Sequence, residues 1–89
     1  MIICKVIGHV WATKKEDGLS GQKLMIVREE KQEGSDGSMM VAADLIGAGI
    51  GEQVLVVSGS TARRALGSDD APVDCAIVGI IDSLEIVKE

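Results

Sequence analysis

The chain has 89 residues, enough for one small domain, and carries a formal net charge of −5 from 14 acidic and 9 basic residues. That acidic balance argues against a surface for nucleic acid, which needs clustered Lys and Arg. Apolar residues make up 46% of the chain, but Trp11 is its one aromatic residue, so the core must be aliphatic. A domain this small buries only about two thirds of its unfolded surface, which favours further burial against copies of itself.

The first apolar run, residues 2–12, has one early lysine and no small-residue cleavage motif of a leader peptide, and it is shorter than a membrane span. We therefore expect a cytoplasmic protein. The two cysteines, Cys4 and Cys75, are far apart in the sequence, and in a reducing compartment they are expected to be free, buried thiols. The sequence alone leaves a disulfide between them open.

Alternating apolar residues over residues 2–12 predict the first strand. One face of this strand is uniformly apolar or small. The other face is mixed and carries Lys5, Ile7, His9 and Trp11. A mixed face of this kind indicates partial cover by a neighbouring chain or loop.

Four more strands are predicted downstream. The apolar run 23–28 is the second strand, and the stretch 29–38, which is polar and rich in Gly, Ser and Asp, predicts a mobile loop after it. The third and fourth strands are predicted over 39–47 and 52–59, and the last over 75–88. All five belong to a single domain.

One short helix is predicted over residues 61–66, with Ser60 as its N-cap and Gly67 as the left-handed residue at its end. It falls between the fourth and fifth strands. A mostly β chain with this order predicts a small, closed or partly open, five-stranded barrel with one short α-helix.

Three glycines at alternate positions, Gly47, Gly49 and Gly51, raise the question of a phosphate-binding loop. Such a loop follows a strand and opens a helix, whose first amides bind the phosphate. Here the next residues are a β-branched strand, and Glu52 stands where the fingerprint requires another glycine. The spacing therefore predicts a tight turn between two strands.

Catalytic and metal-binding patterns are missing from the sequence. His9 is the single histidine and has no ligand-type residue at a metal-site spacing, and Ser60 lies outside any nucleophile elbow. Asp44 and Asp82 adjoin apolar residues and are better explained as turn or interface hydrogen-bonding groups. We expect no enzymatic activity, no metal and no cofactor.

A single-stranded nucleic-acid or small-ligand binding module of the oligonucleotide-binding type is the alternative function for such a barrel. Those proteins stack bases on aromatic side chains along a basic groove. One Trp and an acidic charge balance fit that function poorly.

Four stretches spread over the chain carry a family resemblance: "GHVWATKK", "LSGQKLMIV", "VAADLIGAGIGEQVLVVSGSTAR" and "APVDCAIVGIID". Together and in this order they resemble the EutN/CcmL family, the pentameric vertex proteins of bacterial microcompartment shells. The resemblance implies an oligonucleotide-binding-like barrel that assembles as a cyclic pentamer and caps the vertices of a polyhedral shell. It implies that the protein binds further copies of itself and hexameric shell proteins, and that it binds neither nucleic acid nor a membrane. It also implies a location in a shell within the cytoplasm.

The resemblance also implies roles for individual residues. The loop at the fivefold axis is expected at Gly59, Ser60 and Thr61, contacts with other shell proteins at Lys14 and Lys15, and the subunit interface at His9, Trp11, Glu52, Arg63 and Asp82.

Three of these roles have alternatives. The alternatives are that Ser60 serves only as a helix cap, that Trp11 plugs one end of the barrel, and that Arg63 lies solvated rather than pairing with Glu52 or Asp82 of a neighbour. The end of the chain, "SLEIVKE", is expected to extend past the barrel and across the adjacent subunit.

Overall fold

Five strands and one short helix make up the described part of the chain. The computed structural model describes residues 1–11, 23–31, 36–67 and 73–87. The number and order of elements agree with those predicted from the sequence. They are β1 (Ile2–His9), β2 (Leu24–Glu30), β3 (Asp36–Asp44), β4 (Gln53–Ser58), α1 (Ser60–Ala65) and β5 (Cys75–Ile80).

The strands close into a barrel in the order β1, β2, β3, β5, β4. β1 pairs antiparallel with β2 along one side and with β4 along the other. The join between β3 and β5 is parallel and short, with Ala43 and Asp44 in register with Ala76 and Ile77. α1 packs against β4 and β5. The predicted small barrel with its helix before the last strand is confirmed.

Alternation along each strand decides which side chains fill the barrel. On β1, Cys4 and Val6 are buried, whereas Lys5 and Ile7 are exposed. The barrel core contains Cys4, Val6, Met25, Val27, Ala42, Ala48, Val54, Val56, Cys75 and Ile77. A second cluster under α1 consists of Val57, Ala62 and Ala76.

The polar stretch 29–38 is not a loop over its whole length, contrary to the prediction. Glu29 and Glu30 belong to β2, and residues 36–38 belong to β3. Glu30 is in register with Asp36, so backbone pairing continues where apolar side chains have stopped. Residues 32–35, the middle of the predicted loop, lie outside the described residues.

The last strand is shorter than the predicted strand at 75–88. β5 ends at Ile80. The Ile81 N–H still donates to the Gln53 carbonyl at 2.8 Å, but β4 begins at Gln53 and offers no earlier residue. Residues 82–87 therefore continue without strand pairing.

The start of α1 corrects the predicted N-cap. The helix covers Ser60–Ala65 rather than 61–66, and the cap position is Gly59, with φ 66° and ψ −143° and no side-chain hydrogen bond. A side chain rarely adopts this backbone conformation, so glycine is required. The Gly59 N–H donates to the Asp74 carbonyl at 2.8 Å, which ties the helix to the residue before β5. At the other end, Gly67 has φ 91°, as predicted.

A side-chain carboxylate organises the turn that follows β3. The Asp44 carboxylate accepts hydrogen bonds from the Ile46 and Gly47 N–H groups, both at 3.1 Å, and from the Ala48 N–H at 2.8 Å. The Asp44 side chain is fully buried and forms an ion pair with Lys23 at 3.5 Å. β3 thus ends at Asp44, three residues before the predicted end, because this side chain turns the chain.

The second half of the turn is closed in the same way. The Glu52 carboxylate accepts the Gly49 N–H at 2.6 Å, and the Gly51 N–H donates to the Val6 carbonyl at 2.8 Å. The amides of the turn are therefore already bound within the chain. The Asp44 and Glu52 carboxylates that accept from them would repel a phosphate. The prediction of a strand-to-strand turn is confirmed.

Both cysteines are free and buried, as expected from the sequence. Burial is the largest cause that raises the pKa of Cys4, to about 11, followed by Cys75, Glu29 and Glu30. Burial and the Asp74 carboxylate raise the pKa of Cys75. The thiols therefore act as small core side chains.

Replacement of Asp44 by Ala is expected to lower the free energy of unfolding by about 1–3 kcal/mol, because three amides lose their common acceptor. Urea unfolding followed by circular dichroism at a fixed protein concentration measures the change. Asp74→Ala removes an exposed carboxylate and is the matched control, expected within about 0.5 kcal/mol of the parent. Equal stability of Asp44→Ala and the parent would contradict the role assigned to the turn.

Cys4 is expected to resist iodoacetamide at pH 8 in the native protein. Its pKa of about 11, against an ordinary value of 9.0, lowers the reactive thiolate about 100-fold before burial is counted. Mass spectrometry after timed labelling, with and without guanidinium, measures the rate. A Ser83→Cys variant, with an exposed thiol, is the positive control. Native labelling of Cys4 as fast as in guanidinium would show that the core is open.

Candidate functional site

The predicted interface residue Trp11 lies outside the barrel. It follows β1 by two residues and is 87% exposed, so it does not plug the barrel end, and that alternative is wrong. Its ring stacks on His9, with ring centroids 5.5 Å apart and an interplanar angle of 26°. A single large aromatic held in place but left in solvent is typical of an interface anchor.

The three charged residues predicted for the interface lie on different elements. Glu52 precedes β4 and binds the Gly49 amide, Arg63 is half-buried on α1, and Asp82 is exposed after β5. Within the described part of the chain, Arg63 forms no ion pair with Glu52 or Asp82. Their contact with a neighbour stays a prediction.

The predicted axial loop is a compact exposed corner at the junction of β4 and α1. Ser60 and Thr61 are exposed, and Gly59 is partly covered. A Cβ atom added to Gly59 would meet nothing within 4 Å, so this backbone is accessible from outside. Lys14 and Lys15, predicted to contact other shell proteins, lie outside the described residues.

An apolar surface on the outside of the sheet was missed from the sequence. We call Ile7, Ile26, Met39 and Val41 the outer apolar face. Val41 of β3 is in register with Ile26 of β2. Ile26 is in turn in register with Gly8 of β1, the residue after Ile7. Met39 is 60% and Val41 46% exposed. Contiguous apolar surface of this kind marks an interaction site.

The pattern that reveals this face is present in β3. Met40 and Ala42 point into the barrel, where Ala42 is fully buried, so Met39 and Val41 must point outward. The turn after β3 adds further exposed apolar side chains: Leu45, Ile46 and Ile50.

No described feature has the form of a small-ligand site. One shallow groove, with a volume of about 230 Å³, is lined by Ile3, Glu30, Lys31, Gln53, Leu84 and Ile86. Ligand pockets are usually larger, about 300–1,000 Å³, and more enclosed. Among residues 1–11, 23–31, 36–67 and 73–87, no three His, Cys, Asp or Glu side chains come together to hold a metal ion.

The same ranges contain no helix long and apolar enough to cross a membrane. Nor does the alternative nucleic-acid function gain support, because the chain's one aromatic ring is stacked on His9 and lies beyond the strands. Base-stacking barrels carry several aromatic side chains on their strands.

Known proteins resemble this chain over its whole length. It is 47% identical to the bacterial microcompartment shell vertex protein GrpN of Rhodospirillum rubrum, over 99% of this chain and 100% of that protein. It is 44% identical to the bacterial microcompartment shell vertex protein EutN of Escherichia coli, over 94% of this chain and 90% of that protein.

Solved structures show the same likeness to shell proteins. The pentameric microcompartment shell protein GrpN from Rhodospirillum rubrum superposes with a TM-score of 0.84 at 43% identity, covering 98% of this chain and 100% of that chain. The family model described as ethanolamine utilisation protein EutN/carboxysome matches residues 1–82. With its barrel, its exposed apolar outside and these full-length matches, the chain belongs to the EutN/CcmL family.

Proposed function

We propose that the protein is a structural, non-catalytic subunit of a bacterial microcompartment shell in the cytoplasm, where five copies form a ring that closes a vertex. The observation that carries this proposal is the likeness to the pentameric GrpN structure over 98% of this chain. The vertex role is supported by the names of relatives that match 94% or more of the chain.

The work of such a ring is geometric. Six-sided units tile a flat sheet, and five-sided units at the corners allow the sheet to close into a polyhedron. A closed shell keeps metabolic intermediates with the enzymes inside. The protein therefore needs a rigid barrel whose sides bind neighbouring subunits, and it needs no catalytic residue.

The outside of the barrel supplies surface for such contacts. The outer apolar face and the exposed turn after β3 leave aliphatic side chains in solvent in the single chain. Burying that surface against a neighbour stabilises the ring by about 25 cal/mol for each Å² covered. A head-to-tail contact of this kind closes into a ring when the rotation between neighbours is right.

The proposed interface residues come from separate parts of the barrel. His9 and Trp11 lie at the end of β1, Glu52 before β4, Arg63 on α1 and Asp82 after β5. A head-to-tail ring uses two different patches of each subunit, so residues on separate elements fit this arrangement. Arg63 of one subunit is proposed to pair with Glu52 or Asp82 of the next.

Gly59, Ser60 and Thr61 are proposed to surround the fivefold axis. Two observations support this: the Ser60 and Thr61 side chains are exposed, and Gly59 has no side chain to limit how closely five copies approach.

Hexameric shell proteins are the proposed partners of the ring. Five chains at −5 each carry a formal charge of −25, and this repulsion decreases when the outer edge meets a basic surface. Lys14 and Lys15 are proposed to contact acidic groups of the same partners, because a basic surface would repel them. They lie outside the described residues, so the sequence alone supports this part.

The native protein is expected to have a mass five times that of the 9.3 kDa chain. Light scattering coupled to size exclusion, together with native mass spectrometry, measures it. A stable monomer over the accessible concentration range would overturn the proposed ring. If that monomer bound single-stranded DNA with steep salt dependence, the alternative binding function would take its place.

Trp11→Ser is expected to weaken the ring at least about tenfold, because large aromatic anchors dominate interface energy. Dilution followed by mass photometry gives the midpoint of dissociation. Lys31→Ser, which truncates an exposed side chain at the end of β2, is the control and should leave the midpoint unchanged. The fluorescence of the single Trp gives a second readout. If it stays at the same wavelength in the assembled and the diluted protein, Trp11 is not in the interface.

A further inference from the structure

Within residues 1–11, 23–31, 36–67 and 73–87, one edge of β3 has no partner strand over most of its length. β3 pairs with β2 from Asp36 to Ala43, whereas on its other side β5 is in register with Ala43 and Asp44. Among the described residues, no strand pairs with residues 36–42 on that side.

The backbone direction shows which residues face the open side. The Asp44 N–H donates to the Lys23 carbonyl, toward β2, at 2.8 Å. Because alternate residues of a strand point to opposite neighbours, Met40 and Ala42 also bond toward β2. Met39 and Val41 therefore direct their N–H and C=O groups away from β2, to the open side.

This edge has the properties of a strand-pairing site. Its two outward-facing residues, Met39 and Val41, also expose apolar side chains. Natural proteins protect such edges with charge, proline or a covering segment, because a bare apolar edge pairs with another chain. Asp36 carries a charge at the start of the edge, but neither charge nor proline occurs at residues 37–42, so most of the edge lacks both of these protections.

The segment after β5 has the matching properties. Residues 81–87 leave the barrel without strand pairing beyond Ile81. Leu84 is 53% and Ile86 75% exposed. They are two residues apart, as Met39 and Val41 are, so both pairs can lie on one face of a sheet as cross-strand neighbours.

The segment cannot cover the open edge of its own chain. β5 runs parallel to β3 with Ala76 beside Ala43. Ile80 lies four residues beyond that level, and Ala42, the near end of the edge, lies one residue before it, so five residues, about 17 Å along the strands, separate them. The return would use at least five of the seven residues 81–87 and leave at most two, too few to pair along residues 36–42.

We propose that residues 81–87 of one copy pair as an added strand with the open edge of β3, residues 36–42, in the next copy. Each subunit then gives one strand and receives one, which is a head-to-tail contact able to close a ring. This inference rests on the proposed ring and identifies the backbone contact that links its subunits.

Disulfide trapping tests the inference. Val41→Cys is combined with Leu84→Cys in one variant and with Ile86→Cys in another, because the register between the strands is open. The native thiols are buried and do not compete. The control combines Ile46→Cys, in the exposed turn, with Ile86→Cys. Oxidised samples are analysed on non-reducing gels, and native mass is recorded for each variant and the parent.

At least one test variant is expected to give a ladder of covalent multimers of up to five chains. The control is expected to give no such ladder. A crosslink within one chain would overturn the inference, as would a ladder of equal strength in the control. An intact pentamer with no crosslink in either test variant would also overturn it while leaving the proposed function in place. A monomeric parent would overturn the proposed function and this inference with it.

A proline variant gives a measurement that needs no crosslink. Val41→Pro removes one N–H on the open side and leaves the bonds toward β2 intact. Its ring is expected to dissociate at a concentration at least about fivefold higher than the parent's. Val41→Ile keeps the N–H and the β-branched apolar side chain, and its midpoint is expected to lie closer to that of the parent than to that of Val41→Pro. Equal midpoints for both variants would overturn the inference.

Discussion

Pairing of β1 with strands on both of its sides closes the barrel, and the rest of the structure depends on that closure. A closed five-stranded barrel has a narrow interior that accepts one face of each strand and only modest side chains. Cys4 and Val6 fill that interior from β1, and Ile7 is left outside. A chain with 46% apolar residues and so small an interior must carry aliphatic side chains on its surface.

The polar groups of the turn after β3, in contrast, are hydrogen-bonded within the chain. Asp44 binds three amides of the turn after β3, and Glu52 binds a fourth. The donors that could have held an anion are therefore already used, and the buried thiols are held protonated by their surroundings. What the surface offers is apolar area rather than reactive groups, and this matches a protein whose role is to assemble.

The edge of β3 and the segment after β5 have complementary properties. Among the residues that the structure describes, the edge of β3 away from β2 has no partner strand over residues 36–42, and residues 82–87 pair with no strand. Each exposes two apolar side chains at the spacing of one strand face. An isolated barrel with both features would be prone to association without a fixed partner. In the proposed ring each feature has a defined partner.

The sequence by itself determined the features that depend on neighbouring residues. The alternation around Cys4 predicted the inner face of β1, the β-branched run after the glycines excluded a phosphate loop, and the order of the motifs identified the family. Only the tertiary structure decided features that depend on distant residues. Glu30 is in a strand because Asp36 lies opposite it. Gly59 rather than Ser60 caps the helix, where its amide binds the carbonyl that precedes β5. Trp11 lies outside because β1 ends before it. Local propensity cannot select among such outcomes, since the partner that decides each one is brought near only when the barrel closes.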